Sequence, residues 1–176
     1  MGEKYTALAQ TAVFCARYEA HTRGATVVRP EHLILGLLRA DRQLFELCAP
    51  DLTVDQIRAI LESRLSRRRV RDREKLIPFS RTTRRVLNLA KNESDSSGHS
   101  RIGTEHILAG LIRGERLHTS LLFRKRSWIS IVLRECGVDP DQILQKIHAG
   151  QLDWRPQDKR AKAALGFFKH IHHDLI

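Results

Sequence analysis

The chain has 176 residues, three cysteines, and 31 Lys and Arg against 20 Asp and Glu, for a formal net charge of +11. That length buries a core without covalent staples, and an odd cysteine set with no CxxC spacing excludes a disulfide framework and a zinc knuckle. The opening MGEKYTALAQ has no apolar h-region and no run of about eighteen apolar residues occurs anywhere, so a cytoplasmic protein in a reducing compartment is expected.

Residues 4–23 carry Ala and Val at helical spacing and end at Gly24, a residue suited to the left-handed position after a helix. The MGEKYT start also fits the loose myristoylation pattern, which is too short to carry weight. A second helix begins at Pro30, because proline is favoured at the first helical position. Its Leu33, Ile34, Leu37 and Leu38 form one apolar stripe, and Gly36 predicts a close helix contact. A short third helix and a fourth over 53–66 follow, then an Arg-rich linker at 67–78. The pattern then recurs. Residues 80–97 form a helix stopped by Gly98. Thr104 reads as the N-cap of the next helix, whose stripe is Ile107, Leu108, Leu111 and Ile112 with Gly110 among them. Residues 140–149 form the last helix, and no alternating β pattern of useful length appears.

The recurrence is an internal repeat. At a shift of 74, Tyr5 falls on Phe79, Ala16 on Ala90, Glu19 on Glu93, Gly24 on Gly98, Glu31 on Glu105, His32 on His106, Gly36 on Gly110 and Arg39 on Arg113. Beyond residue 47 the shift becomes 86, pairing Asp55-Gln56-Ile57 with Asp141-Gln142-Ile143. The second copy has therefore gained about twelve residues between 114 and 128. The expected fold is an all-α, pseudo-twofold bundle of two four-helix repeats spanning 1–153, with repeat one at 4–66 and repeat two at 79–149. A basic amphipathic tail at 154–176 completes the chain.

The charge excess is local. Residues 67–75 (RRRVRDREK) hold six basic and two acidic residues, 113–126 five and one, and 154–176 five and two, while the remainder balances 15 against 15. Few aromatic residues are interleaved, so the linker reads as a solvated connector and a basic helical nucleic-acid-binding protein is the alternative. Arg124, Lys125 and Trp128 in the gained segment are candidate partner-binding residues. In the tail, Leu165, Phe168 and Ile171 recur at helical spacing. The nearby His170, His172, His173 and Asp174 resemble a weak metal site whose position favours adventitious binding, so no metal or cofactor is assigned.

Glu31 and Glu105 lie in the first turns of equivalent helices, where a carboxylate gains about 0.3–1 kcal/mol from the helix macrodipole. That explains them without a ligand. The sharper alternative is a pair of acidic receptors for a cationic group such as guanidinium, with helix N-terminal amides beside them for an anion. His32 and His106 follow each glutamate, and the expected role of each is that of a buried hydrogen-bonding residue holding the turn.

The paired segments RPEHLILGLLR and GTEHILAGLIR, the stretch IPFSRTTRRVLNLA, and the copy ends APDLTVDQI and CGVDPDQIL resemble the Clp N-terminal double repeat. That module stands at the front of Clp AAA+ unfoldases, most closely the ClpC type. The resemblance covers about residues 4–149 and implies an eight-helix bundle that binds substrates, degradation-tagged proteins and adaptors. It also implies phosphoarginine recognition through Glu31 and Glu105 and cyclic-peptide binding beside Phe79. The first copy has Arg29-Pro30 where the family has Gly-Thr, and proline removes an amide donor. The implied phosphoarginine role thus fits Glu105, with Gly103 and Thr104 intact, better than Glu31. No nucleophile elbow or HExxH motif occurs, and GHSRIGTE has Thr104 where a P-loop needs lysine. The expectation is a non-catalytic recognition module, acting as adaptor, decoy or accessory subunit of a Clp system.

Overall fold

The structure, a computed structural model, describes residues 4–65, 77–116 and 128–151. Eight helices fall among them: α1 (Ala7–Thr22), α2 (Pro30–Ala40), α3 (Arg42–Cys48), α4 (Val54–Ser63), α5 (Arg81–Ser96), α6 (Thr104–Arg116), α7 (Trp128–Glu135) and α8 (Pro140–His148). The all-α double repeat is thus present, four helices to each copy. Thr6 and Ser80 start α1 and α5 by accepting the amides of Ala9 and Thr83 at 3.3 and 3.1 Å, which satisfies a donor that a helix start otherwise leaves free. Gly24 and Gly98 follow those helices at φ 66° and 69°, a conformation costly to any residue with a Cβ.

Helices α1 and α2 pair within the first copy, α5 and α6 within the second, and α2 meets α6 between them. The pairing is close because of one residue in each copy. A Cβ on Gly36 would lie 2.3 Å from the Ala12 carbonyl oxygen, and one on Gly110 2.5 Å from that of Val86. Both obstacles are backbone, so they cannot swing aside. The stripes of α2 and α6 are buried, as are Cys15, Cys48 and Cys136, which are free thiols. Burial pushes the Cys15 thiol up to about 11 and the Cys48 thiol up to about 12, so neither is a ready nucleophile.

The copies are joined by a reciprocal clasp. Two isolated parallel bridges pair Tyr5 with Ile102 and Val28 with Phe79, and these are equivalent pairs under the shift of 74. Thr6 N–H donates to Ile102 O at 2.9 Å and Ile102 N–H to Lys4 O at 2.8 Å. In the mirror arrangement Ser80 N–H donates to Val28 O at 2.9 Å and Val28 N–H to Pro78 O at 2.8 Å. The residue two positions before each copy's second helix therefore takes its hydrogen bonds from the other copy. The sequence reading, which found no β pattern, missed these bridges because one residue pair has no periodicity.

A buried carboxylate anchors each copy. Glu19, 2% exposed, meets Arg23 at 3.3 Å, Arg39 at 3.2 Å and Arg58 at 3.0 Å, while Glu62 binds Arg23 and Arg58 at 2.9 Å. Its counterpart Glu93 meets Arg113 and His148 at 3.0 Å each. His148 is the residue that the shift of 86 places on Glu62. Removing the Glu19 charge leaves three arginines around a neutral group, with Glu62 left to answer both the buried Arg23 and Arg58, whereas Arg113 and His148 retain access to water. Glu19→Gln should therefore destabilise the fold by about 3 kcal/mol or more in urea unfolding, and Glu93→Gln by about 1 kcal/mol. In the same assay Gly36→Ala should cost about 1–3 kcal/mol through the backbone clash.

Candidate functional site

Pro30 and Thr104 occupy the same position, the first residue of α2 and of α6. Thr104 is therefore not the N-cap that the sequence predicts. The cap position falls on Gly103, whose carbonyl accepts Ile107 N–H at 3.3 Å, and the Thr104 hydroxyl donates to Asp41 Oδ2 at 2.6 Å across the copy boundary. Asp41 caps α3 with its other oxygen, accepting Leu44 N–H at 3.1 Å. Burial raises its carboxyl above the usual range, against the lowering effect of these two hydrogen bonds. Pro30 has no hydroxyl, so the first copy has no equivalent tie.

The two histidines hold equivalent turns. His32 Nδ1 accepts the Arg29 amide at 3.0 Å and His106 Nδ1 accepts the Gly103 amide at 2.8 Å, each closing a helix start as the third residue of a capping box does. Acceptance at Nδ1 places the proton of each neutral ring on Nε2. In the second copy that nitrogen lies 2.8 Å from His99 Nδ1, with the rings edge to face. His99, Glu105 and His106 each offer a ligand atom within 4.8 Å of the others'. They are the residues best placed to hold a metal among those described, although an ion there would have to displace the shared proton. The tail cluster at His170–Asp174 lies outside the described residues.

The glutamates differ. A Cβ at residue 103 would sit 2.1 Å from Glu105 Oε1, so the Glu105 carboxylate folds back over Gly103. There it lies 3.0 Å from His106 Nδ1 and 3.5 Å from Thr104 Oγ1. In the first copy Arg29 replaces that glycine, and its Cβ fills the space. Glu31 accordingly stays apart from His32, and its Oε2 is buried without a hydrogen-bond partner. Arg29 is exposed and forms no ion pair among the described residues. The clasp places Val28, three residues before Glu31, against Phe79. The Phe79 ring carries the Arg17 guanidinium 4.7 Å from its centroid, a favourable cation–π distance. Phe79 and the Glu31 turn are thereby joined, while Thr104, Gly103 and Glu105 form the second cluster around Asp41 and His99.

Asp41, His99 and Arg17 were not read as site residues from the sequence. The repeat offers no signal for His99, whose counterpart is Ala25, and Asp41 falls on Glu115 at the edge of the gained segment, whereas Tyr5 was findable as the counterpart of Phe79. Arg124 and Lys125 lie outside the described residues, and Trp128 begins α7. No helix among the described residues is long and apolar enough to cross a membrane.

The profile of the Clp repeat (R) N-terminal domain matches residues 4–125. Among curated proteins, the negative regulator of genetic competence ClpC/MecB of Bacillus subtilis is 33% identical over 112 residues, 62% of this chain and 14% of that protein. The uncharacterised protein Rv2667 of Mycobacterium tuberculosis is 30% identical over 133 residues, 73% of this chain and 52% of that one. The chain thus spans about half, or far less, of the curated relatives it matches. The N-terminal domain of the chaperone ClpD from Arabidopsis thaliana superposes with a TM-score of 0.62 at 23% identity, covering 88% of this chain and 98% of that one. The N-terminal domain of Hsp104 from Candida albicans gives 0.61 at 19%, covering 91% and 99%. These likenesses show the fold.

His32 supplies a test of the turn. Burial first, then the Arg23 and Arg29 charges, lower its pKa to about 4, with Glu19 acting the other way. The unfolded chain therefore takes up a proton near pH 6.5 that the folded chain refuses until about pH 4, and stability falls as pH drops through that window. The contribution is about 3 kcal/mol between those limits. Urea unfolding across pH 4–7 should show this slope, and His32→Gln should flatten it.

Proposed function

The chain belongs to the Clp repeat N-terminal domain family, and on that premise we propose that it is a non-catalytic recognition module. It binds arginine-bearing, and in particular phosphoarginine-bearing, protein segments or adaptors of a Clp chaperone or protease system. The observation that carries this reading is the buried, unpartnered Oε2 of Glu31. An unsatisfied charged acceptor costs about 1–3 kcal/mol or more, and a guanidinium donating to it removes that cost on binding. Arg29, exposed at the preceding turn, supplies positive charge for an attached phosphate in place of the amide that Pro30 lacks. Phe79, bridged to Val28 three residues before Glu31, already carries the Arg17 guanidinium, and a ligand arginine reaching it would share that ring. Glu105, whose carboxylate is folded back over Gly103, is the weaker of the two receptors. This ordering reverses the one drawn from Gly103 and Thr104 in the sequence, because a glycine at 103 leaves the space into which the neighbouring carboxylate turns.

Recognition of this kind needs no nucleotide, in keeping with a family whose N-terminal module is distinct from the unfoldase motor. Titration of a fluorescent phosphoarginine peptide should show saturable binding that Glu31→Ala weakens by roughly 10- to 150-fold, the equivalent of one charge-assisted hydrogen bond pair at about 1.5–3 kcal/mol. Glu105→Ala should have a smaller effect, and an unmodified arginine peptide should bind more weakly. Equal affinity of wild type and Glu31→Ala would contradict the reading.

A further inference from the structure

The chain's balance of 15 basic and 15 acidic residues outside its three basic segments conceals a segregated surface on α5. Arg81, Arg84, Arg85, Asn88 and Lys91 are all exposed and, at spacings of three and four, share one face of the helix. The arginines occupy its N-terminal half, and no acidic residue lies in its first turn. Lys91 pairs with Asp95 at 2.5 Å; among the described residues the three arginines have no acidic partner. This arrangement opposes helix stability twice. Positive charge at a helix N-terminus is repelled by the macrodipole, and like charges three or four residues apart repel each other.

The internal repeat shows that the fold does not require it. At the shift of 74 the counterparts of the three arginines and Asn88 on α1 are Ala7, Gln10, Thr11 and Phe14, neutral and mostly buried, while that of Lys91 is Arg17, which stacks on Phe79. The inward residues of α5 keep the core character of α1: Thr83, Val86, Leu87 and Ala90 are buried. The second copy has thus kept the packing face and placed uncompensated cations on the other.

We infer that the Arg81–Arg84–Arg85 face of α5 binds the phosphodiester backbone of a nucleic acid, without reading its sequence. Three observations select this partner. Stable protein interfaces are anchored by aromatic or aliphatic side chains, and the strip has none; among the described residues Leu47 is the exposed large hydrophobic residue of the molecule. A helix lying on a lipid surface needs a free apolar face, and that of α5 is consumed by the core. Backbone binding needs only arginine or lysine along a line with polar neighbours, which Asn88 and Thr82 supply. The strip runs about 15 Å along the helix from residue 81 to residue 91.

The test is fluorescence anisotropy with labelled duplex DNA and single-stranded RNA over a salt series from about 50 to 300 mM KCl. The full chain should bind at low salt. The triple variant Arg81→Gln, Arg84→Gln, Arg85→Gln should bind more weakly and lose about 2–3 from the slope of log K against log salt, close to 0.9 per lost phosphate contact. Its thermal unfolding midpoint should stay level or rise, because the substitutions relieve repulsion, and this separates lost binding from lost folding. A second variant neutralising Arg67, Arg68 and Arg69 controls for the linker. The inference is overturned if neither tracer binds at low salt, if the α5 variant keeps the wild-type slope while the linker variant loses it, or if poly-glutamate competes as well as nucleic acid.

Discussion

The starts of α2 and α6 are fixed by hydrogen bonds that neither copy makes alone. Val28 is held by Pro78 and Ser80, and Ile102 by Lys4 and Thr6. Backbone groups left unpaired at such buried positions are costly, so a single copy would carry open donors and acceptors where the other copy now sits. The Thr83 hydroxyl adds a 2.8 Å bond to Val28 O that Ala9, its counterpart, has no group to make. The glutamates lie three residues beyond these bridges, and each owes its position to the opposite half of the molecule. Duplication is in this sense what builds the site.

With the frame fixed, the copies diverged only where packing leaves freedom. Gly36 and Gly110 cannot change, because backbone of α1 and α5 lies within 2.3 and 2.5 Å of any added Cβ. The polar residues could change. One substitution, glycine at 103 against arginine at 29, decides whether the neighbouring carboxylate folds back onto its own helix start or remains unpartnered. Another, threonine at 104 against proline at 30, decides whether that start is tied to Asp41. The buried carboxylate followed the same course: Glu19 is surrounded by three arginines, whereas Glu93 has one arginine and a histidine.

The helical bundle was legible in the sequence because its signals are local. Gly24 and Gly98 and the paired stripes each constrain the chain within a turn or two, the repeat at shifts of 74 and 86 states each signal twice, and the helix bounds differ from expectation by only a few residues. The candidate site was legible in position but not in state. Glu31 and Glu105 were found by their spacing, yet which of them is already partnered depends on Cβ atoms, on Asp41 some sixty residues from Thr104, and on a ring contact between His99 and His106. The N-cap reading of Thr104 failed for the same reason. The cap falls one residue earlier, on Gly103, and the threonine hydroxyl serves a tie to Asp41 of the other copy that no local pattern signals.

The central claim is that Glu31, and not Glu105, presents the open carboxylate. Carbon-detected NMR of the side-chain carboxyl groups, followed while a phosphoarginine peptide is added, addresses it at the atoms concerned. The Glu31 carboxyl resonance should shift to saturation with the peptide while that of Glu105 moves little. A titration in which Glu105 shifts and Glu31 stays fixed would contradict the account.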